Sequence, residues 1–188
     1  MQMKTYKVTI DQGTTCWYNE EDCFHRDGDL PAIEQADGGK QWWKDGQLHR
    51  DNGLPAIEWP HGTKQWYVNG KRFRDGDLPT IEWASGHLEW WVGGHFNYRD
   101  GDLPAIKRET GCKTGYVENR LHRGGGLPAV VREDGHREWW VDGQLHRDGG
   151  LPAIEGINGG KWWYVNGKRY SDGNLPAIDG PDEHKVKE

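Results

Sequence analysis

Apolar and polar positions in this chain repeat as a block. Leu-Pro pairs begin at Leu30, Leu54, Leu78, Leu103, Leu127, Leu151 and Leu175, spaced by 24 residues except for one step of 25. A fixed period of this kind is the signature of a repeat protein. One unit, "KQWYVNGKRFRDGDLPTIEWASGH" at 64–87, stands for the rest. It reads as a short strand, an Asn-Gly turn, a second short strand, a Gly-rich turn, an extended "LPTIEW" and a closing turn. Asn-Gly or Asp-Gly between extended runs favours a hairpin because both residues tolerate positive φ. The pair occurs at Asp45-Gly46, Asn69-Gly70, Asp142-Gly143 and Asn166-Gly167. No stripe of apolar residues has the helical period, so almost no helix is expected.

The expected fold is all-β. Seven tandem 24-residue β-hairpin repeats form an elongated twisted ribbon or solenoid, with a closed ring as the alternative. The open form is favoured because the terminal units are irregular in the manner of caps. Residues 1–13 read as an N-terminal strand or cap, 14–180 as one repeat domain, and 181–188 as a disordered C-terminal tail.

Tandem aromatics mark each first strand: Trp42-Trp43, Trp66-Tyr67, Trp90-Trp91, Trp139-Trp140 and Trp163-Tyr164. Neighbours on a strand face opposite ways, so each unit sends one aromatic to each side. One column should stack as core, the other be covered by LPAI or partly exposed. Composition supports this. Leu, Ile, Val and Phe together number only 31 of 188 residues, against 12 Trp and 7 Tyr. Disordered chains are poor in aromatics, and burying a Trp removes about 150–250 Å² from water. Trp can therefore do here what aliphatic residues do elsewhere.

The columns that resemble chemistry read better as packing. The histidine column runs His25, His49, Phe73, Tyr98, His122, His146, Tyr170. A metal ligand or general base does not exchange with Phe. The next column is Arg26, Arg50, Arg74, Arg99, Arg123 and Arg147, broken by Ser171, and the one after is mostly Asp. Arg paired with carboxylates or stacked on Trp explains both, while an Arg row offered to anions is the functional alternative. The "DGD" triplets suggest calcium, but their last position reads Asp29, Gly53, Asp77, Asp102, Gly126, Gly150, Asn174. Gly has no side-chain oxygen, whereas all three types tolerate a left-handed turn. Glu34, Glu58, Glu82 and Glu155 form a further ladder, replaced midway by Lys107 and Val131, and read as solvated surface.

Net charge is −6, without the basic excess usual for nucleic-acid binders. No apolar run reaches the roughly 18 residues of a membrane span, and "MQMKTYKVTI" lacks the apolar core of a secretory signal. The expected location is cytoplasmic. Cys16, Cys23 and Cys112 leave at least one thiol unpaired. Cys16 and Cys23 flank a turn and could approach each other, but free thiols suit this compartment better. Neither metal nor cofactor is indicated.

The pattern W-x-x-x-G-x-x-H-R-x-G within these units resembles MORN-like repeats, with "VNGKRFRDG" (68–76) and "VNGKRYSDG" (165–173) as the nearest segments. The resemblance runs from about Cys16 to Asp179 and departs from the usual pattern at LPAI. Units of the "HRDGDLPA" type look like those of uncharacterised phage and giant-virus proteins. It implies a β-hairpin ribbon used for protein or lipid contact, and a host-cytoplasm location if phage-encoded.

The fifth unit, 113–136, breaks the rules. Gly115 stands in the Trp column before Tyr116, Glu118-Asn119 replaces Asn-Gly, and Val131 replaces Glu. The preceding unit carries the one-residue insertion near Asn97. Losing the Trp should open a gap or permit a bend. Natural sequences break local rules mostly at functional or strained places. The expected binding residues are therefore Asn97, Gly115, Tyr116, Glu118, Asn119 and Val131. The expected structural residues are Trp42, Trp43, Trp66, Trp90, Trp91, Trp139, Trp140, Trp163, Arg50, Arg74 and Arg147.

Seven copies of a motif argue against an enzyme, whose site needs one asymmetric constellation. The expected function is a non-enzymatic module that binds another protein, with a phage-encoded host-directed inhibitor as the form suggested by the resemblance. Carbohydrate or cell-wall (choline-like) binding through the Trp-rich repeats is one alternative. A small-molecule sponge is another.

Overall fold

The computed structural model describes residues 6–92, 95–96, 103–169 and 178–179, with only the backbone of 96, 178 and 179. Tyr98, Arg99, Asp102, Tyr170, Ser171, Asn174 and the tail 181–188 therefore lie outside the described residues. The described residues are all β, without helix, and so include no helix long and apolar enough to cross a membrane. The chain falls into two compact units, Met1–Gly94 and His95–Glu188.

In the first unit, β1 (Lys7–Asp11) and β2 (Thr14–Tyr18) form an antiparallel hairpin. The sheet continues through β3 (Ile33–Glu34) and β4 (Lys40–Gln41). It then runs through Ile57–Glu58, Lys64–Gln65, Ile81–Glu82 and Leu88–Glu89, antiparallel throughout and open in order. Each copy thus contributes two short rungs. Between rungs the chain leaves the sheet to make a two-stranded hairpin, β5 (Trp43–Lys44) with β6 (Gln47–Leu48), and again Tyr67–Val68 with Lys71–Arg72.

The first Trp of each pair is the corner between the two sheets. Trp42 N–H donates to the Ala56 carbonyl in the next rung (2.8 Å), while its own carbonyl accepts the His49 N–H in the hairpin (3.0 Å). Trp66 bonds the Thr80 carbonyl and the Phe73 N–H in the same way. The aromatic run is therefore two strands hinged at a buried ring. Hairpins also bond to one another, as Gly70 N–H donates to the Leu48 carbonyl at 2.9 Å. Asp45 and Gly46 have φ of 49° and 76°, which is the type I′ geometry expected of this turn.

The second unit repeats the plan. Its sheet runs Ile106–Lys107, Lys113–Thr114, Val130–Val131, Arg137–Glu138, Ile154–Glu155, Lys161–Trp162, Ile178–Asp179. Its hairpins are Tyr116–Val117 with Arg120–Leu121, Trp140–Val141 with Gln144–Leu145, and Tyr164–Val165 with Lys168–Arg169.

The core is narrow and periodic. Trp42, Trp66, Trp90, Trp139 and Trp163 are buried, together with Ala32, Ala56, Ala105, Ala129 and Ala153. The second aromatics, Trp43, Tyr67, Trp91, Tyr116, Trp140 and Tyr164, are half-buried. The two columns thus split as the alternation requires. In the second column Trp43 Nε1–H donates to Gln41 (3.1 Å), Trp91 to Glu89 and Trp140 to Glu138 (both 2.8 Å). The three thiols are free.

Candidate binding grooves

Each HRD loop is assembled around one guanidinium. Arg26, Arg50, Arg74 and Arg147 lie 3.6–3.7 Å over the rings of Trp17, Trp42, Trp66 and Trp139. That is a cation–π stack with one face of the ring covered. Their Nη1 atoms donate to the carbonyls of Pro31, Pro55, Pro79 and Pro152 at 3.0–3.2 Å. Nη1 also donates to Glu34, Glu58, Glu82 and Glu155 at 2.6–3.2 Å. The Glu ladder, expected to be solvated surface, is instead the carboxylate half of this cluster. The buried indole completes it, since Trp42, Trp66 and Trp139 donate Nε1–H to the carbonyls of Asp29, Gly53 and Gly126 at 2.8–3.0 Å.

The histidines bridge neighbouring copies. His49 Nδ1 accepts the Asn69 N–H (3.1 Å), which leaves Nε2 protonated to donate to Asp51 (2.9 Å). His146 does the same with Asn166 and Asp148. A His–Asp pair can serve acid–base chemistry, but here the other nitrogen is spent on a backbone amide. At His49 and His146 both ring nitrogens are thus engaged within the protein, polar contacts in addition to the packing expected of the column. Hydrogen bonds from His49 and Arg50 hold the carboxyls of Asp51 and Asp29 below the usual Asp range.

Successive loops enclose grooves. One of about 240 Å³ lies between the loops at Arg26 and Arg50, floored by Trp42 and Trp43. The next, about 140 Å³, lies between Arg50 and Arg74 and is lined by Leu54, Trp66, Tyr67 and Phe73. In every described copy the Leu that opens the Leu-Pro run stays out of the core. Leu30, Leu54 and Leu78 are 48%, 39% and 50% exposed in the first unit, and Leu103, Leu127 and Leu151 are 37%, 41% and 49% exposed in the second.

The irregular residues divide between two places. Gly115, Tyr116, Glu118 and Asn119 share one hairpin, with Tyr116 opposite Leu121. Val131 is in the large sheet between Lys113 and Arg137. Asn97 lies outside the described residues. The gap expected at Gly115 does not exist. A Cβ there would lie 2.7 Å from the His122 carbonyl oxygen and 3.2 Å from Arg123 Cβ. The His122 carbonyl and the Arg123 side chain lie against this position and leave no room for a side chain without a local shift. The Glu118-Asn119 turn keeps the left-handed geometry without glycine, with φ of 49° and 63°. A non-glycine residue there costs roughly 1–2 kcal/mol, less for Asn.

Sequence reading missed Trp17, half-buried, which precedes Trp42 by 25 residues in the same column and carries Arg26. The irregular stretch between them hid it, although counting back from Arg26 would have found it. Among known proteins, the chain matches no family and no curated protein.

Proposed function

We propose that the chain is a non-enzymatic binding module for another protein, with the loop grooves and the leucines beside them as its contact surface. The observation that carries this reading is the leucine row. A residue half-exposed in every described copy contributes less to the core than Trp, Ala or Ile, yet it recurs in each. The grooves also present Arg, Trp and Tyr, the side chains enriched among interface anchors. The irregular hairpin of the second unit, whose strained Glu118-Asn119 turn offers packing no evident gain, is taken as a further contact element. A host-directed role for a phage protein is the specific form that the MORN-like resemblance suggests. Binding of choline or glycans is less favoured, because the buried rings are capped by guanidinium groups.

Two variants test this against cross-linked capture from host lysate. Leu30, Leu54 and Leu78 are changed together to serine, and residues 113–136 are replaced by the unit 64–87. A protein captured by the parent should be lost from the leucine variant without loss of fold, and weakened by the unit replacement. Undiminished capture by both overturns the proposed surface. No captured protein, together with saturable quenching of Trp fluorescence by choline or a glycan, overturns the function.

A further inference from the structure

Arg50 and Arg74 occupy equivalent places and differ in one edge. At Arg50, Nη1 and the ring-facing surface are used as described, and the remaining edge is closed by the preceding loop. Nε donates to Asp29 Oδ1 at 2.7 Å and Nη2 to Asp29 Oδ2 at 3.1 Å. This is the fork-to-carboxylate geometry for which guanidinium is suited. At Arg74 the position of Asp29 is taken by Gly53. Among the described residues the contacts of Arg74 are Pro79, Glu82 and Trp66, and none of them takes Nε or Nη2. Its side chain is only 16% exposed, and it opens onto the smaller groove. Arg147 repeats the case in the second unit. It bonds Pro152 and Glu155, stacks on Trp139, and faces Gly126 where an Asp would stand.

We propose that the free forks of Arg74 and Arg147 are carboxylate-binding subsites that take Asp or Glu side chains of a partner polypeptide. The protein supplies its own liganded example, Asp29 on Arg50. The guanidinium is already fixed by its stack and by Nη1, so a ligand does not have to order it. The acid following each Arg does not prevent pairing, because Asp51 adjoins Asp29 and Asp29 still binds Arg50. The Arg74 groove is the more apolar of the two Arg sites in its loop residue. Phe73, 43% exposed, replaces the histidine found at His146, and Leu54 is 39% exposed beside it. An acidic residue flanked by apolar ones fits this surface better than a bare carboxylate. The proposal rests on the protein-binding reading for its choice of a polypeptide source.

Gly53→Asp tests it directly. Gly53 has φ of 67°, close to the 55° of Asp29, and a Cβ there meets nothing within 4 Å. The variant should therefore fold and cap Arg74 from within. The readout is the Nε–Hε signals of ¹⁵N-labelled arginines, assigned by Arg50→Lys, Arg74→Lys and Arg147→Lys. The probes are acetate and a capped Leu-Glu-Leu peptide. In the parent, Arg74 and Arg147 should shift saturably while Arg50 does not. The peptide should bind Arg74 at least about tenfold more tightly than acetate, the factor for roughly 1.4 kcal/mol of added contact. In Gly53→Asp, Arg74 should stop responding and Arg147 should continue. Absence of a saturable shift at Arg74, or equal shifts at Arg50 and Arg74, overturns the subsite. Equal affinity for acetate and peptide overturns the polypeptide assignment. These outcomes separate from the function itself: a captured partner that Gly53→Asp does not release leaves the module standing and removes the subsite.

Discussion

Replacing Trp66 with alanine should lower stability by about 3–5 kcal/mol, the usual range for deleting a large buried aromatic. The ring is 4% exposed. It carries Arg74 on one face and donates Nε1–H to the Gly53 carbonyl. Its removal leaves Arg74 over an empty site and that carbonyl without its indole donor. Because copies contact chiefly their neighbours, the damage should be greatest in the flanking copies. Urea unfolding of the variant, followed by the fluorescence of the remaining tryptophans, measures the loss. A midpoint equal to the parent's would show that the ring does not hold the array.

Arg50→Ala should cost about 2–3 kcal/mol, since it removes a stacked cation and charge-assisted hydrogen bonds together. It also strands Glu58 and Asp29, which both accept from this guanidinium. Arg74→Ala should cost less by about 0.5–1 kcal/mol, the size of one partly exposed ion pair, because Gly53 offers Arg74 no carboxylate. Paired denaturation curves give the difference. Equal losses would mean that the Asp29 fork contributes nothing, and the comparison between the two arginines would then lose its energetic basis.

The parts legible in the sequence were those written within one copy. The Leu-Pro period and the Asn-Gly turns are local signals, and they announced the hairpins and the absence of helix in the described residues. The split of Trp66 from Tyr67 follows from strand alternation. What stayed hidden depends on bonds between copies. Asp29 reaches Arg50 across 21 residues and His49 meets the Asn69 amide across 20. Neither partner is marked by spacing inside a unit. Glu58 misled for another reason: its partner Arg50 lies in the same copy, eight residues back, but strand alternation does not mark a contact made across the loop. Gly115 misled for a different reason. A missing ring suggests a void, but the backbone carbonyl of His122 and the methylenes of Arg123 lie close against the Gly115 position. The candidate site was legible only as irregularity. Glu118 and Asn119 do form a strained turn, whereas the open edge of Arg74 becomes visible only beside the closed edge of Arg50.

The central claim is that the copies centred on Trp42, Trp66 and Trp139 each hang on one buried Trp bonded to the next rung and to its own hairpin, and Gly115 keeps the same two backbone bonds without the ring. Backbone amide hydrogen exchange of the folded chain, read residue by residue, tests it most directly. Trp42, Trp66 and Trp139 donate to Ala56, Thr80 and Ala153 at 2.8–2.9 Å, so their amides should be among the slowest, recurring with the repeat. The loop amides of Gly28, Asn52 and Gly125, exposed at left-handed turns, should exchange fast. Trp amides that exchange as quickly as those loop amides would contradict the account.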